Sequence, residues 1–161
     1  MDYTIRPFRQ GDAEAIAALT LAAIRVTGLA AYSEAQVAAW AARYSAARLH
    51  GGAAQGNVIL LAADAGDRAA AYTVLEPDGH LEMLYCHPDH AGRGLALRLL
   101  AEAEAAARDR GIARLFTEAS ELARPVFARA GYGLLHRREF TIGPAEAPVA
   151  IHNYAMEKQL G

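Results

Sequence analysis

The segment that constrains this chain most is His87-Pro88-Asp89-His90-Ala91-Gly92-Arg93-Gly94-Leu95-Ala96. It starts where an apolar run, residues 81–86, is stopped by a proline, and it leads into a long stretch with Leu95, Leu99, Ala103 and Ala106 at helical spacing. Glycines there let the backbone approach a ligand with no Cβ in the way. The unpaired N–H groups of the first helical turn, together with the helix dipole, favour a pyrophosphate. Arg93 can add a charge-assisted contact. A Gly-x-Gly turn by itself also opens helices that bind nothing, so the weight falls on the order of elements around it.

That order is readable along the chain. Residues 3–8 alternate as a strand, and Asp12 is placed to cap an Ala-rich helix ending near Gly28. Ser33 and Gln36 have capping-box spacing, and Val37, Trp40 and Tyr44 continue a second helix into the mid-forties. The small, Gly-rich residues 50–56 read as a loop. Residues 57–63, 69–76 and 81–86 read as an antiparallel meander, with turns at Ala65-Gly66-Asp67 and Pro77-Asp78-Gly79. A long helix over 92–110, a strand over 114–119, a helix over 122–130 and strands over 132–140 and 149–157 complete one domain, residues 1–161. The fold class is therefore α/β, an α+β mixed sheet that is mostly antiparallel and flanked by helices. The strand–helix–strand unit in the middle predicts a central parallel pair, whose parting ends leave a crevice for a ligand.

Several function classes are disfavoured. A formal net charge of -2 lacks the basic footprint of nucleic-acid binding and gives no attraction to anionic membranes. No leader-like start and no stretch of bilayer-spanning length is expected. A single cysteine, Cys86, points to a reducing compartment, and cytoplasmic location follows by default. There is no Gly-x-x-x-x-Gly-Lys-Ser/Thr and no full Gly-x-Gly-x-x-Gly, which sets aside P-loop and nicotinamide-binding units. His80, His87 and His90 lack the spacing of a metal pair and read as turn or surface histidines, so no metal is expected.

On these residues the chain resembles the GCN5-related N-acetyltransferase (GNAT) family over nearly its whole length. Leu84-Tyr85-Cys86-His87-Pro88 followed by Gly92-Arg93-Gly94-Leu95-Ala96 is similar to the family's apolar strand, Pro, then Gln/Arg-x-x-Gly-x-Gly/Ala. Ala91 stands where the family usually has Gln or Arg. Glu118-Ala119-Ser120 through Phe127 to Gly131-Tyr132, and the ending Asn153-Tyr154-Ala155-Met156, resemble later family segments. The resemblance implies a GNAT-like acyl-CoA N-acyltransferase fold and an acetyl-CoA-dependent N-acetyltransferase. Its acceptor would be a primary amine of a small molecule or protein, attacking directly in a ternary complex. It implies that Leu84, Tyr85 and Cys86 pair with the pantetheine arm and that amides from Ala91 to Ala96 hold the pyrophosphate. Ser120 and Phe127 would lie near the thiol, and an amide near Cys86 would stabilise the thioester oxyanion. A homodimer is common among similar proteins.

Amine acetylation needs aligned substrates, a base for the amine and a way to release the thiolate. Glu82, among apolar neighbours on the strand entering the turn, is the first choice as base, since burial would raise its pKa toward neutrality. Glu118, on the adjacent strand, is the second. Phe127 stands where the family often has a proton-donating Tyr, so Tyr85, Tyr132 and Tyr154 are possible substitutes, with Tyr85 nearest the thioester. Tyr32, Trp40 and Tyr154 are assigned to the acceptor site, Tyr32 and Trp40 because the first two helices wall that site in similar proteins. Cys86 on an apolar strand reads better as a small hydrophobe than as a nucleophile. Two other readings remain: an acyl-CoA-binding sensor without catalysis, and an acyltransferase using a longer acyl-CoA or an O-nucleophile.

Overall fold

The computed structural model describes residues 2–161. Strand β1 (Thr4–Pro7) leads through a 3-10 turn (Gln10–Asp12) into helix α1 (Ala13–Ala22). Asp12 does not cap α1. Its carboxylate accepts from Arg9 N–H at 2.7 Å and receives both terminal nitrogens of Arg6 at 2.9 Å. The chain continues past Ala22 as a π-helical turn (Ala23–Thr27) and a 3-10 turn (Gly28–Ala30). Gly28 belongs there for packing: a Cβ would lie 3.2 Å from Val37 Cγ2. The continuous run Gln10–Ala30, 21 residues, is long and apolar enough to cross a membrane by length and composition, which corrects the expectation that no stretch reaches that length. In this fold its Ile16, Leu19 and Ile24 are buried in the core.

Helix α2 (Glu34–Ala41) opens with the capping box read from sequence: Ser33 Oγ accepts from Gln36 N–H at 3.2 Å and Gln36 Oε1 from Ser33 N–H at 2.9 Å. It ends at Ala41. Much of the expected loop is instead helix α3 (Ala46–Ala54). Ser45 Oγ receives Arg48 N–H at 3.4 Å, and Leu49 is buried beside Ile16 and Leu19, so tertiary packing outweighs the poor helix propensity of Gly51 and Gly52.

Strands β2 (Val58–Ala63), β3 (Ala69–Leu75) and β4 (Leu81–Cys86) join β1 in an antiparallel sheet ordered β1-β2-β3-β4. Period-two alternation divides it. Ile59, Leu61, Tyr72, Val74 and Met83 pack on α1 and α3, while Ala62 and Ala71 pack on Leu95 and Leu99 of helix α4 (Leu95–Asp109). Burial on both faces explains the consecutive apolar residues of β2. Strand β5 (Arg114–Ala119), helix α5 (Arg124–Arg129), strand β6 (Gly133–Ile142) and strand β7 (Val149–Gln159) follow, the strands forming a second antiparallel sheet ordered β5-β7-β6.

The expected central parallel pair is reduced to one bridge, His80 with Phe116. Beside it Phe116 N–H donates to Gly79 O at 3.1 Å. One step on, the hydroxyl of Thr117 takes over and donates to Leu81 O at 2.8 Å. The strands part from there. Gly79 permits the close approach: its φ is 98° and a Cβ would lie 2.2 Å from Arg114 O. The crevice between β4 and β5 begins at this point.

Candidate active site

Two cavities open along the parted strands. The larger, of about 400 Å³, lies between α2, α3, the facing ends of β4 and β5, and the β6–β7 hairpin. The smaller, of about 280 Å³, lies between the π-helical turn, the end of β4 and the start of α4. They share Trp40, Leu84, Tyr85, Ser120 and Ala123 as a common wall. A molecule in one can therefore meet a molecule in the other at the ends of β4 and β5.

The smaller cavity is built largely from the segment that dominates the sequence. Every residue from Ala91 to Ala96 lines it, with Leu84, Tyr85 and Cys86 on the β4 side and Ser120 opposite. Gly92 and Gly94 have φ of 74° and 73°, left-handed values that only glycine adopts without strain. A Cβ on either would meet nothing within 4 Å, so the backbone conformation, not crowding, requires them. Among the described residues, no protein acceptor takes up the N–H groups from Gly92 to Leu97. The Ala91 N–H is different: it closes the preceding turn onto Pro88 O at 3.3 Å, which removes it from the expected set of free amides. Arg93 and Arg129 line the same cavity, the second unnoticed in the sequence.

The β4 edge presents backbone groups to the crevice. His87 N–H donates to Ala70 O at 2.8 Å and Tyr85 lies opposite Tyr72. Strand alternation then turns the N–H and C=O of Tyr85 toward β3 and those of Leu84 and Cys86 toward the parted side. The π-helical turn and the start of the 3-10 turn are the far wall: Ala23, Ile24, Thr27 and Gly28 line the cavity there. Cys86 is half-buried, and burial pushes its thiol pKa up, away from a nucleophilic thiolate.

The larger cavity holds the candidate bases. Glu82 lines it, but it is not the unpaired carboxylate expected: Arg48 of α3 forks onto Glu82 Oε1 through Nε, at 3.1 Å, and Nη2. Arg48 lay in a segment whose helical end the sequence concealed. Glu118 also lines the cavity and accepts from His80 Nε2 at 2.9 Å. His80 Nδ1 bonds Glu76. Burial opposes the charge on His80, yet the two carboxylates outweigh it and lift its pKa to about 9. The imidazole is then a cation at neutral pH, donating from both nitrogens, and not the surface histidine expected. It holds the Glu118 carboxyl below its ordinary range, which weakens Glu118 as a base relative to an ordinary glutamate.

Tyr85 is held away from proton transfer. Its hydroxyl accepts from Trp40 Nε1 at 3.2 Å and shares a 2.8 Å bond with Tyr44, while its ring stacks on Tyr72. Burial raises its pKa well above the ordinary tyrosine value, so it is a poorer acid than a free phenol. Ser120 Oγ accepts from Ala123 N–H at 3.1 Å and so caps the turn into α5. Phe127 is 2 % exposed, lines the larger cavity and packs edge-on to Tyr132 at 5.1 Å. Tyr32 and Trp40 both line the larger cavity. Tyr32 accepts from Glu121 N–H at 2.9 Å and donates to His152 O at 3.0 Å. Tyr154 is the exception. It turns away from both cavities and donates to Glu121 Oε1 at 2.5 Å, a carboxylate that His152 Nε2 also reaches at 2.9 Å. Glu121, Arg48, Arg138 and His152 were not singled out from the sequence. Among the described residues no group of three or more His, Cys, Asp or Glu is arranged to hold a metal ion.

Known proteins share this fold. A GCN5-related N-acetyltransferase from Rhodopseudomonas palustris superposes with a TM-score of 0.83 at 33% identity, over 99% of this chain and 97% of that one. The PaiA N-acetyltransferase from Thermoplasma acidophilum, in complex with coenzyme A, has a TM-score of 0.80 at 19% identity, covering 99% and 100%. A phosphinothricin acetyltransferase from Sinorhizobium meliloti, in complex with acetyl-CoA, has 0.74 at 18% identity, covering 100% and 90%. No curated protein sequence gives a match. The family model described as an acetyltransferase (GNAT) domain matches residues 28–141, from the π-helix exit through both cavities to β6. By that match and by the similarity to the R. palustris protein, the chain belongs to the GCN5-related N-acetyltransferase family.

Proposed function

We propose that the protein transfers an acetyl group from acetyl-CoA to a primary amine by direct attack within a ternary complex. The observation that carries this reading is the wall shared by the two cavities. The smaller cavity has what a CoA pyrophosphate needs: free amides at the start of a 15-residue helix, and the cations Arg93 and Arg129. The outward N–H and C=O groups of Leu84 and Cys86 suit the amides of an extended pantetheine arm. Bound there, acetyl-CoA supplies the thioester that is attacked.

The chain's own residues do the rest. The Cys86 N–H side of β4 offers a donor to the thioester oxygen as negative charge develops. Glu82 accepts the amine proton, and Arg48 fixes the position of its carboxylate. Tyr85, buried and already bonded, gives no proton to the thiolate, and Phe127 has none to give, so the thiolate departs as the anion. The test is release of CoA thiol from acetyl-CoA in the presence of a broad amine panel. Stimulation above background hydrolysis by at least one amine is expected; a flat response across the panel removes the reading. A sensor without catalysis draws on Phe127, and calorimetric CoA binding without turnover by any amine would favour it.

A further inference from the structure

The charges around the larger cavity are unequally matched. Three carboxylates line it: Glu76, Glu82 and Glu118. Arg48 pairs with Glu82, and the protonated His80 is shared by Glu76 and Glu118. Two further cations line the same cavity, Arg43 and Arg138, and among the described residues neither forms a salt bridge. Arg43 is exposed. Arg138 is half-buried and fixed in place: its Nη1 donates to Asn153 Oδ1 at 3.0 Å, and its guanidinium lies 5.1 Å from the centre of the Phe140 ring. Asn153 uses its carbonyl oxygen on Arg138, which leaves its NH2 group as a second donor on the same wall. Glu118 feels the charge of Arg138 but makes no salt bridge to it, so a guanidinium preorganised by a neutral hydrogen-bond partner retains a fork of donors for an oxyanion.

Resting on the acetyltransferase reading above, we propose that the acceptor is a primary amine that carries a carboxylate, and that Arg138 with Asn153 receives that carboxylate. The amine is thereby directed to the shared wall, where Glu82 lies on the β4 side. A diamine or other polycation meets repulsion at Arg138 and Arg43, because with these two the cations lining the cavity outnumber its carboxylates.

The test pairs acids with uncharged or cationic analogues: the standard amino acids with their carboxamides, and 4-aminobutyrate with 1,4-diaminobutane. A carboxamide leaves the neighbouring amine less basic and easier to deprotonate, so preference for the acid runs against intrinsic reactivity. The best acid is expected to exceed its uncharged analogue by about 10–100-fold in kcat/KM, the range of a charge-assisted contact. Arg138→Gln should bring that ratio toward one, mainly through KM, and Arg138→Lys should keep part of it. Equal or greater use of the amides or the diamine overturns the proposal while leaving the acetyltransferase reading intact. If no amine in any class is turned over, that reading fails instead. The same panel is then measured by calorimetry on the CoA-loaded protein, where tighter binding of acids supports the anion site and equal binding overturns it.

Discussion

His80 gives the sharpest test of the site's electrostatics. Its side chain is 19% exposed and clamped between Glu76 and Glu118. Its pKa rises from 6.5 to about 9 on folding, because two carboxylates together outweigh the cost of burying the charge. A histidine whose folded pKa is raised binds its proton more tightly in the folded state. Its contribution is therefore complete below about pH 6.5 and is lost as pH climbs through 9. At about 1.4 kcal/mol per pKa unit the full shift is worth about 3 kcal/mol. The carboxylate partners are about a third exposed, so solvent screening trims this to ~2–3 kcal/mol. For a domain of this size that is about 5–10 °C in Tm. The assay is urea unfolding at pH 6 and pH 10 on the wild type and His80→Gln. The variant serves as the subtraction for every other group whose charge changes over that interval. Wild type should lose ~2–3 kcal/mol more than the variant across that interval. An NMR titration of the His80 ring with a midpoint near 6.5, or parallel pH dependence in the two proteins, refutes the reasoning.

Gly79→Ala should be the costliest single methyl in the fold, since it adds left-handed strain to a 2.2 Å clash with the Arg114 carbonyl; a loss of about 3 kcal/mol or more in chemical unfolding is expected. Gly94→Ala has the strain without the clash, so it should destabilise by only about 1–2 kcal/mol while weakening CoA binding about tenfold by calorimetry; unchanged CoA affinity would argue against the helix-start site. Glu82→Gln should lower kcat by about 10²–10⁴-fold with CoA affinity retained, and a kcat within a factor of two of wild type removes Glu82 as the base. Tyr85→Phe should leave kcat within about threefold and cost about 1–2 kcal/mol of stability, because the indole N–H of Trp40 loses its acceptor; a hundredfold fall in kcat instead would restore Tyr85 as the acid.

What could be read from the sequence was what local chemistry decides. The Ser33–Gln36 capping box, the Pro77-Asp78-Gly79 turn and the glycines at 92 and 94 each satisfy backbone groups or dihedral angles within a few residues. Helix α3 escaped because its causes are distant. Gly51 and Gly52 argue for a loop locally, but Leu49 is needed in the core under α1, and the Asn57 side-chain amide packs close over Gly52, 2.6 Å from where a Cβ would lie. The parting of β4 and β5 escaped for a similar reason. The strand–helix–strand order predicts a parallel pair, yet its extent is set by one threonine hydroxyl replacing a backbone donor at Leu81.

The site divides along the same line. The smaller cavity uses backbone, so glycine positions disclose it. The larger one uses charges whose partners lie far apart in sequence: Arg48 with Glu82, His80 with Glu118, Arg138 with Asn153. Another pair was within reach. The hairpin turn sets Glu76 N–H on His80 O at 2.8 Å, so residues 76 and 80 face each other across it, and the His80–Glu76 pair follows from that turn. Both assigned tyrosines have hydroxyls engaged within the protein, for a physical reason. A tyrosine on a strand is drawn to whatever acceptor its ring burial brings near, and here the hydroxyls of Tyr85 and Tyr154 found Tyr44 and Glu121. In the proposed reaction, with Phe127 lacking a hydroxyl and Tyr85 engaged, neither of these side chains supplies a proton to the departing sulfur. That shifts the burden of rate onto positioning the amine and stabilising the thioester oxygen. On that proposal the contacts that orient the acceptor, Arg138 foremost, matter more to kcat/KM than any acid.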